Sequence, residues 1–264
     1  MNNPDNQKTA ILVISFGTSF PETRKKTIDK IEEDIQGAFG GFRIFRAWTS
    51  GMIRRKLEKR DGLHIMDVTE AMESILKEGY TSVVVQPTHV INGIESEKLK
   101  EQVLSFENRF ERILLGKPLL SSDEDIQDVI QALKKELDTP DKDTVVFMGH
   151  GTEHAANEIY LKMDKLFKEM GLTHFHMATV EARPTIEDVL EELKEDKDQK
   201  IILTPFMIVA GDHANNDLAG DEEDSWKNIA IRHGFCPQCV LKGLGEYQGI
   251  RNIYLRHIKE ALEA

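Results

Sequence analysis

Cysteine is scarce in this chain of 264 residues: Cys236 and Cys239 are the only two, and both sit in one Cys-Pro-Gln-Cys stretch. Such a pair staples no long loop, which excludes a disulfide scaffold and fits a reducing compartment. Long apolar runs are missing too, since nothing approaches the roughly 20 consecutive apolar residues of a membrane span. The start of the chain carries Asp5 and Lys8, and the apolar run Ala10–Phe16 stops at Gly17-Thr18-Ser19, too short and wrongly flanked for a signal peptide. A cytoplasmic protein without a membrane partner is therefore expected. Positive charge is in deficit, with 34 Lys and Arg against 46 Asp and Glu and a net charge of -12. A nucleic-acid partner, which needs a basic footprint, is not expected. The Gly17-Thr18-Ser19 turn also lacks the Gly-x-Gly-x-x-Gly pattern, so no dinucleotide is expected.

What is present is a globular composition, 40% hydrophobic and 30% charged, enough for one large or two modest domains with a real core. The chain is organised around Val145-Val146-Phe147-Met148-Gly149-His150-Gly151, a buried-strand pattern that ends in a tight turn bearing an imidazole. Upstream, the pattern predicts a strand at Thr9–Phe16, a helix at Pro21–Gly37, a strand at Arg43–Trp48 and a basic helix at Gly51–Arg60 capped by Thr49 or Ser50. A helix at Asp67–Gly79, a strand at Ser82–Gln86, a helix at Glu95–Arg109, a strand at Arg112–Leu115 and a helix at Ser122–Leu137 follow. The polar stretch Thr139–Asp143 reads as a linker.

Beyond it the order repeats. Val13-Ile14-Ser15-Phe16-Gly17-Thr18 precedes Phe147-Met148-Gly149-His150-Gly151-Thr152 by 134 positions, and Val84-Val85-Gln86-Pro87 through Glu95 precedes Ile202-Leu203-Thr204-Pro205 through His213 by 118. Phe16 thus takes the place of His150, and Glu95 that of His213. The pattern predicts an α/β protein of two similar, Rossmann-like halves, residues 1–138 and 139–264, each a roughly four-stranded parallel sheet flanked by helices. Gly17, Gly93, Gly151 and Gly211 are expected at strand carboxyl ends around a cleft between the halves. The last helix, Tyr247–Leu262, is expected to swing back onto the first half.

A lone histidine after a strand more often fills a turn than binds a ligand. Here each of the next two strand-like runs also ends in a ligating group: Glu181 after Met177–Val180, and His213 after Phe206–Asp212. Two imidazoles and one carboxylate make a borderline ligand set for a divalent Co, Fe, Ni or Zn, and three protein ligands leave positions open for chemistry. Glu95 and His89 are expected on the facing wall, where either could accept a proton. Other motifs are weaker. The Cys236/Cys239 pair has no second pair, and Pro237 suits a turn before a last strand. His174 and His176 alternate like one face of a strand and are read as structural. Arg54 and Arg55 on the basic helix are suited to carboxylates of an anionic ligand.

The sequence resembles the anaerobic sirohydrochlorin cobaltochelatase family, class II chelatases of cobalamin synthesis. The matching stretches are Val13–Ser19, Phe45–Ile53, His89–Gly93, Val146–Gly151, Val209–Asp217, Asp224–Lys227 and Gly243–Glu246, which span nearly the whole chain. The resemblance implies two halves like those of ferrochelatase, with His150, Glu181 and His213 as metal ligands and Glu95 as a further acidic active-site residue. It implies ATP-independent insertion of Co2+ into sirohydrochlorin, an anionic polycarboxylate tetrapyrrole, with no nucleotide. In that reading Glu95 and unliganded His150 take pyrrole protons, and Ser15, Thr18, Arg46, Arg54, Arg55 and His89 are assigned to substrate contact. Ile94 and Arg183 depart from the family pattern, and Arg183 is expected to add a cation near Glu181. A ferrochelatase or nickel chelatase on the same frame, or a metal or tetrapyrrole carrier without catalysis, is the alternative, and homo-oligomerisation is left open.

Overall fold

A computed structural model describes residues 8–137, 143–194 and 200–264. The linker expected at Thr139–Asp143, as far as Lys142, lies outside the described residues. The elements run β1 (Thr9–Ser15), α1 (Pro21–Lys26), α2 (Ile28–Ala38), β2 (Arg43–Trp48), α3 (Gly51–Asp61), α4 (Val68–Lys77), β3 (Ser82–Pro87), α5 (Ile94–Leu104), β4 (Arg112–Leu115) and α6 (Asp123–Glu136). They continue with β5 (Thr144–Gly149), α7 (Glu158–Glu169), β6 (Phe175–Thr179), α8 (Ile186–Glu192), β7 (Lys200–Pro205), α9 (Trp226–Arg232), β8 (Cys236–Cys239) and α10 (Gln248–Glu263). Packing divides the chain into two compact units, one of residues up to Asp128 plus Gln248–Ala264, the other Val129–Tyr247.

Each unit holds a four-stranded, all-parallel sheet, ordered β2-β1-β3-β4 in the first and β6-β5-β7-β8 in the second. The central strands are largely apolar because helices cover both faces: every residue of β1, β3 and β5 is buried. In the first unit one face packs Leu12, Ile14, Val83 and Val85 against Met72 and Ile75 of α4 and Leu99 and Val103 of α5. In the second, Val146, Met148 and Leu203 pack against Val189 and Leu190 of α8 and Ile229 of α9. The register repeats as well. Ile14 pairs with Pro87 in the first sheet and Met148 with Pro205 in the second, the residues that the sequence repeat equates.

The helix α10 packs on β3, β4 and α2 of the first unit. Polar contacts fix it there: Arg251 Nε donates to Asp34 (2.6 Å), the Tyr254 hydroxyl to the Thr88 carbonyl (2.9 Å), and Arg256 to Asp125 (2.7 Å).

Several elements differ from expectation, each for a local reason. The single helix expected at Pro21–Gly37 is two, broken at Thr27, whose hydroxyl donates to the Thr23 carbonyl (2.6 Å) and whose backbone leaves helical geometry. The helix expected at Glu95–Arg109 ends at Leu104, where Ser105 bonds back to Gln102, and Glu107–Arg109 form a separate turn. The apolar run Phe206–Gly211 is loop, not strand. The Phe206 amide makes the last bond to β5, at Met148, and the carbonyls of Met207 and Ile208 are then taken by the amides of Leu244 and Gly245. The Cys-Pro-Gln-Cys stretch is itself the last strand, β8, rather than a turn before one; Pro237 is tolerated because β8 lies at the sheet edge.

β6 begins at Phe175, so His174 lies in the turn before it, and His176 alone faces inward. Its Nδ1 lies 3.5 Å from Lys168 Nζ, and burial pushes its pKa down to about 4. The unfolded chain therefore binds more protons than the folded one between about pH 6.5 and 4, so the stability that neutral His176 confers is lost as pH falls through that window. The full loss is about 3 kcal/mol. Melting temperatures recorded from pH 7 to 4 are expected to fall less steeply for His176→Gln than for the parent.

Candidate functional site

The second unit gathers the three candidate metal ligands at the carboxyl ends of three adjacent strands, where open parallel sheets bind ligands. β5 ends at Gly149, where a Cβ would lie 2.5 Å from the Tyr160 ring, and Gly151 has φ +82°, where a Cβ would lie 2.8 Å from the Ala182 nitrogen. Only glycine fits on either side of His150. Tyr160 lies buried beneath this turn. Its phenol oxygen accepts from the backbone of His150 and Gly151, and burial pushes its pKa up to about 12. The pairing of β5 with β6 continues past the strands through Val180 N to Gly149 O (3.0 Å) and Glu181 N to His150 O (2.9 Å), which sets Glu181 beside His150. Asn157 clamps the two loops, accepting from the Thr152 amide (3.1 Å) and donating to the Arg183 carbonyl (2.8 Å).

His213 opens a π-helical turn, Ala214–Leu218, whose start is tied down by the Asn215 amide side chain on Gly211 O (2.6 Å). The rings of His150 and His213 meet edge to face at 4.8 Å, and Glu181 Oε2 lies 3.5 Å from His150 Nδ1. One ligand atom from each of His150, Glu181 and His213 lies within 4.8 Å of the others. Around an ion bound at about 2.0–2.1 Å, tetrahedral ligand atoms sit about 3.3 Å apart, so closure by about an ångström would complete the set. All three side chains are at least a third exposed and free to make that adjustment. Each imidazole has Nδ1 engaged, His150 with Gly151 O (3.0 Å) and His213 with Asp217 Oδ2 (2.5 Å), which leaves Nε2 for a ligand.

The first unit puts the remaining candidates in unlike places. Ser15 and Thr18 are buried, not presented to a ligand. The Ser15 hydroxyl accepts from Thr88 (2.9 Å), and Thr18 Oγ1 accepts from the Phe20 amide, so both are spent on holding the loop after β1. Arg46 and Arg54 are likewise committed. Arg46 lies against Glu32 (Nε to both carboxylate oxygens, 2.8 Å) and Asp29, and Arg54 pairs with Asp67 (3.2 Å) at the start of α4. These four side chains are thus held by neighbours within the first unit. Arg55, exposed on α3, pairs with no carboxylate among the described residues. Both ring nitrogens of His89 are buried without a partner among the described residues, and burial pushes its pKa down to about 4. It is a neutral ring, poorly placed to take a proton. Glu95 is exposed on the first turn of α5, with Lys98 Nζ at 3.2 Å. Arg183 pairs with Asp188 (2.9 Å).

Three residues to which the sequence reading assigned no substrate contact lie at the carboxyl end of the first sheet. Met52, Phe16 and Ile94 follow the adjacent strands β2, β1 and β3 and are 70%, 50% and 43% exposed. Large apolar side chains this exposed at successive strand ends are candidates for a binding surface. The repeat held the signal, since Phe16 occupies the position of His150. Asp217, Tyr160 and Asn157 were also missed; only Asp217, four residues after His213, had a spacing that could have revealed it.

Cys236 and Cys239 cannot close on one ion, because residues three apart in a strand point to opposite faces. Cys236 is exposed, and burial pushes the Cys239 thiol up. Replacing both by Ser is expected to leave metal insertion within about a few-fold of the parent, read as initial rates.

A family model described as cobalt chelatase (CbiK) matches residues 9–263. The sirohydrochlorin cobaltochelatase of Salmonella typhimurium is 38% identical over 256 residues, covering 97% of each chain. The sirohydrochlorin cobaltochelatase CbiKC of Nitratidesulfovibrio vulgaris is 32% identical over 265 residues, 97% of this chain and 92% of that one. Among solved structures, SirB from Bacillus subtilis with Fe3+ superposes with a TM-score of 0.69 at 17% identity, over 96% of this chain and 95% of the other, which speaks for the fold.

Proposed function

The chain belongs to the cobalt chelatase (CbiK) family, and from that premise we propose how it inserts Co2+ into sirohydrochlorin. The observation that carries the reading is the convergence of His150, Glu181 and His213 within 4.8 Å at the ends of three neighbouring strands. The metal is a substrate, so it must be stripped of water, held, and then released. Three protein ligands do the first two and leave positions open for incoming pyrrole nitrogens. Two neutral imidazoles and one carboxylate bind a borderline divalent ion without the closed thiolate shell of a structural site.

The macrocycle needs an apolar surface for its ring plane and cations for its carboxylates. On the first unit, Phe16, Met52 and Ile94 offer exposed apolar surface and Arg55 an exposed cation. Its pyrrole N–H protons need an acceptor, and Glu95, exposed and on the first turn of a helix, takes that role; buried, neutral His89 does not. Exchange of two N–H protons for a metal held by four nitrogens needs no nucleotide, and the reaction runs without one. Among the described residues no helix is long and apolar enough to cross a membrane. The scarcity of cysteine supports a cytoplasmic setting.

The test is to mix purified protein with sirohydrochlorin and Co2+ in the absence of nucleotide and follow the visible spectrum, with Fe2+ and Ni2+ in parallel. Conversion to the cobalt product faster than in buffer is the expected result. Conversion at the buffer rate, or only after nucleotide is added, would overturn the proposal.

A further inference from the structure

We propose that Asp217 is a positioning residue of the metal centre, holding the His213 ring by Nδ1 so that Nε2 is presented to Co2+; the role rests on the reading of His150, Glu181 and His213 as the ligands. The contact is specific. Asp217 Oδ2 lies 2.5 Å from His213 Nδ1, and among the described residues Asp217 has no other partner. A carboxylate only accepts, so Nδ1 carries the proton and the lone pair resides on Nε2.

The turn that carries Asp217 is held rigidly. Ala214 and Leu218 are fully buried, the Asn215 side chain binds Gly211 O, and at Gly220 a Cβ would lie 2.2 Å from Asn216 O, so the exit has no room to shift. Asp217 itself is half exposed and contributes nothing to the core. Its location is explained by the imidazole it holds.

The two imidazoles differ in what holds them. His150 Nδ1 meets a neutral acceptor, the Gly151 carbonyl, 3.0 Å away, whereas His213 Nδ1 meets an anion. An anionic partner fixes the tautomer more firmly and makes Nε2 the stronger donor. His213 is therefore the anchoring ligand of the pair, and His150 the one that yields as the metal passes to the macrocycle.

A plain surface pair at four-residue spacing would do less, contributing a few tenths of a kcal/mol to the turn and nothing to the metal. Cobalt titration separates the two. With the full chain, Co2+ affinity and the visible band of bound cobalt are measured for the parent, Asp217→Ala and Asp217→Asn, each checked for fold by circular dichroism, together with KM for Co2+ and kcat. Asp217→Ala is expected to weaken Co2+ binding about 10–100-fold, shift the band, and raise KM for Co2+ more than it lowers kcat. Asp217→Asn, which still offers an oxygen acceptor, is expected to recover most of the affinity. Parent-like affinity and band in Asp217→Ala, or an Asn variant as weak as the Ala variant, would overturn the positioning role alone. A parent that fails to bind Co2+, or binding that survives His213→Ala unchanged, would overturn the ligand reading and this role together.

Discussion

Glu95→Gln is expected to slow cobalt insertion by roughly 10²–10⁴-fold, the usual worth of a positioned general base, while Co2+ binding stays at the parental level. The reaction cannot finish until the pyrrole nitrogens lose their protons, and a glutamine of the same size and polarity accepts none. Glu95 is exposed on the first turn of α5, and among the described residues its hydrogen-bonded side-chain partner is Lys98, so the substitution removes no core contact. Stability is expected to change by about 0.5 kcal/mol at most. Initial rates followed by visible absorption, with Co2+ titration alongside, check the result. A parental rate would remove Glu95 from the mechanism and leave the proton acceptor to be sought at His150.

The fold was legible because a parallel sheet covered on both faces leaves unbroken apolar runs, and β1, β3, β5 and β7 are such runs. The repeat carried more than element order: the residues it equates occupy equivalent places in the β1–β3 and β5–β7 registers. The same logic misled at Phe206–Gly211. That stretch is as apolar as a strand, but its carbonyls are claimed by Leu244 and Gly245, a tertiary contact that no local pattern reveals. Thr27 misled differently, since the polar stretch Pro21–Lys26 before it holds no internal helix breaker and the break comes with its own hydroxyl.

Of the site, what depended on strand ends was legible and what depended on partners was not. His150, Glu181 and His213 each follow a strand or its loop, so topology alone brought them together. Ser15, Thr18, Arg46 and Arg54 had suitable chemistry, but sequence does not show that a hydroxyl is taken by Thr88 or a guanidinium by Glu32 and Asp67. The exposed residues Met52, Phe16 and Ile94, to which the sequence reading gave no substrate contact, show the reverse case. Polar residues draw attention in a sequence, whereas exposed apolar ones look like core until their accessibility is known.

His213→Ala is expected to move affinity where Glu95→Gln moves rate. It deletes one of the three proposed ligands, so Co2+ binding should weaken by at least the roughly 10–100-fold that loss of a ligand's supporting partner costs. The turn should survive the truncation, because its anchors, Ala214 and Leu218, are buried and make no use of the imidazole. His150 and Glu181 remain beside each other, 3.5 Å apart, and still offer two donors. Activity is therefore expected to return in part at high Co2+, with KM for the metal raised and kcat less affected. Metal titration and initial rates over a wide Co2+ range distinguish the outcomes. If His213→Ala bound Co2+ as the parent does while Glu95→Gln lost binding, the repeat-matched positions would have exchanged roles, and the ligand would have to be sought on α5 rather than after β7.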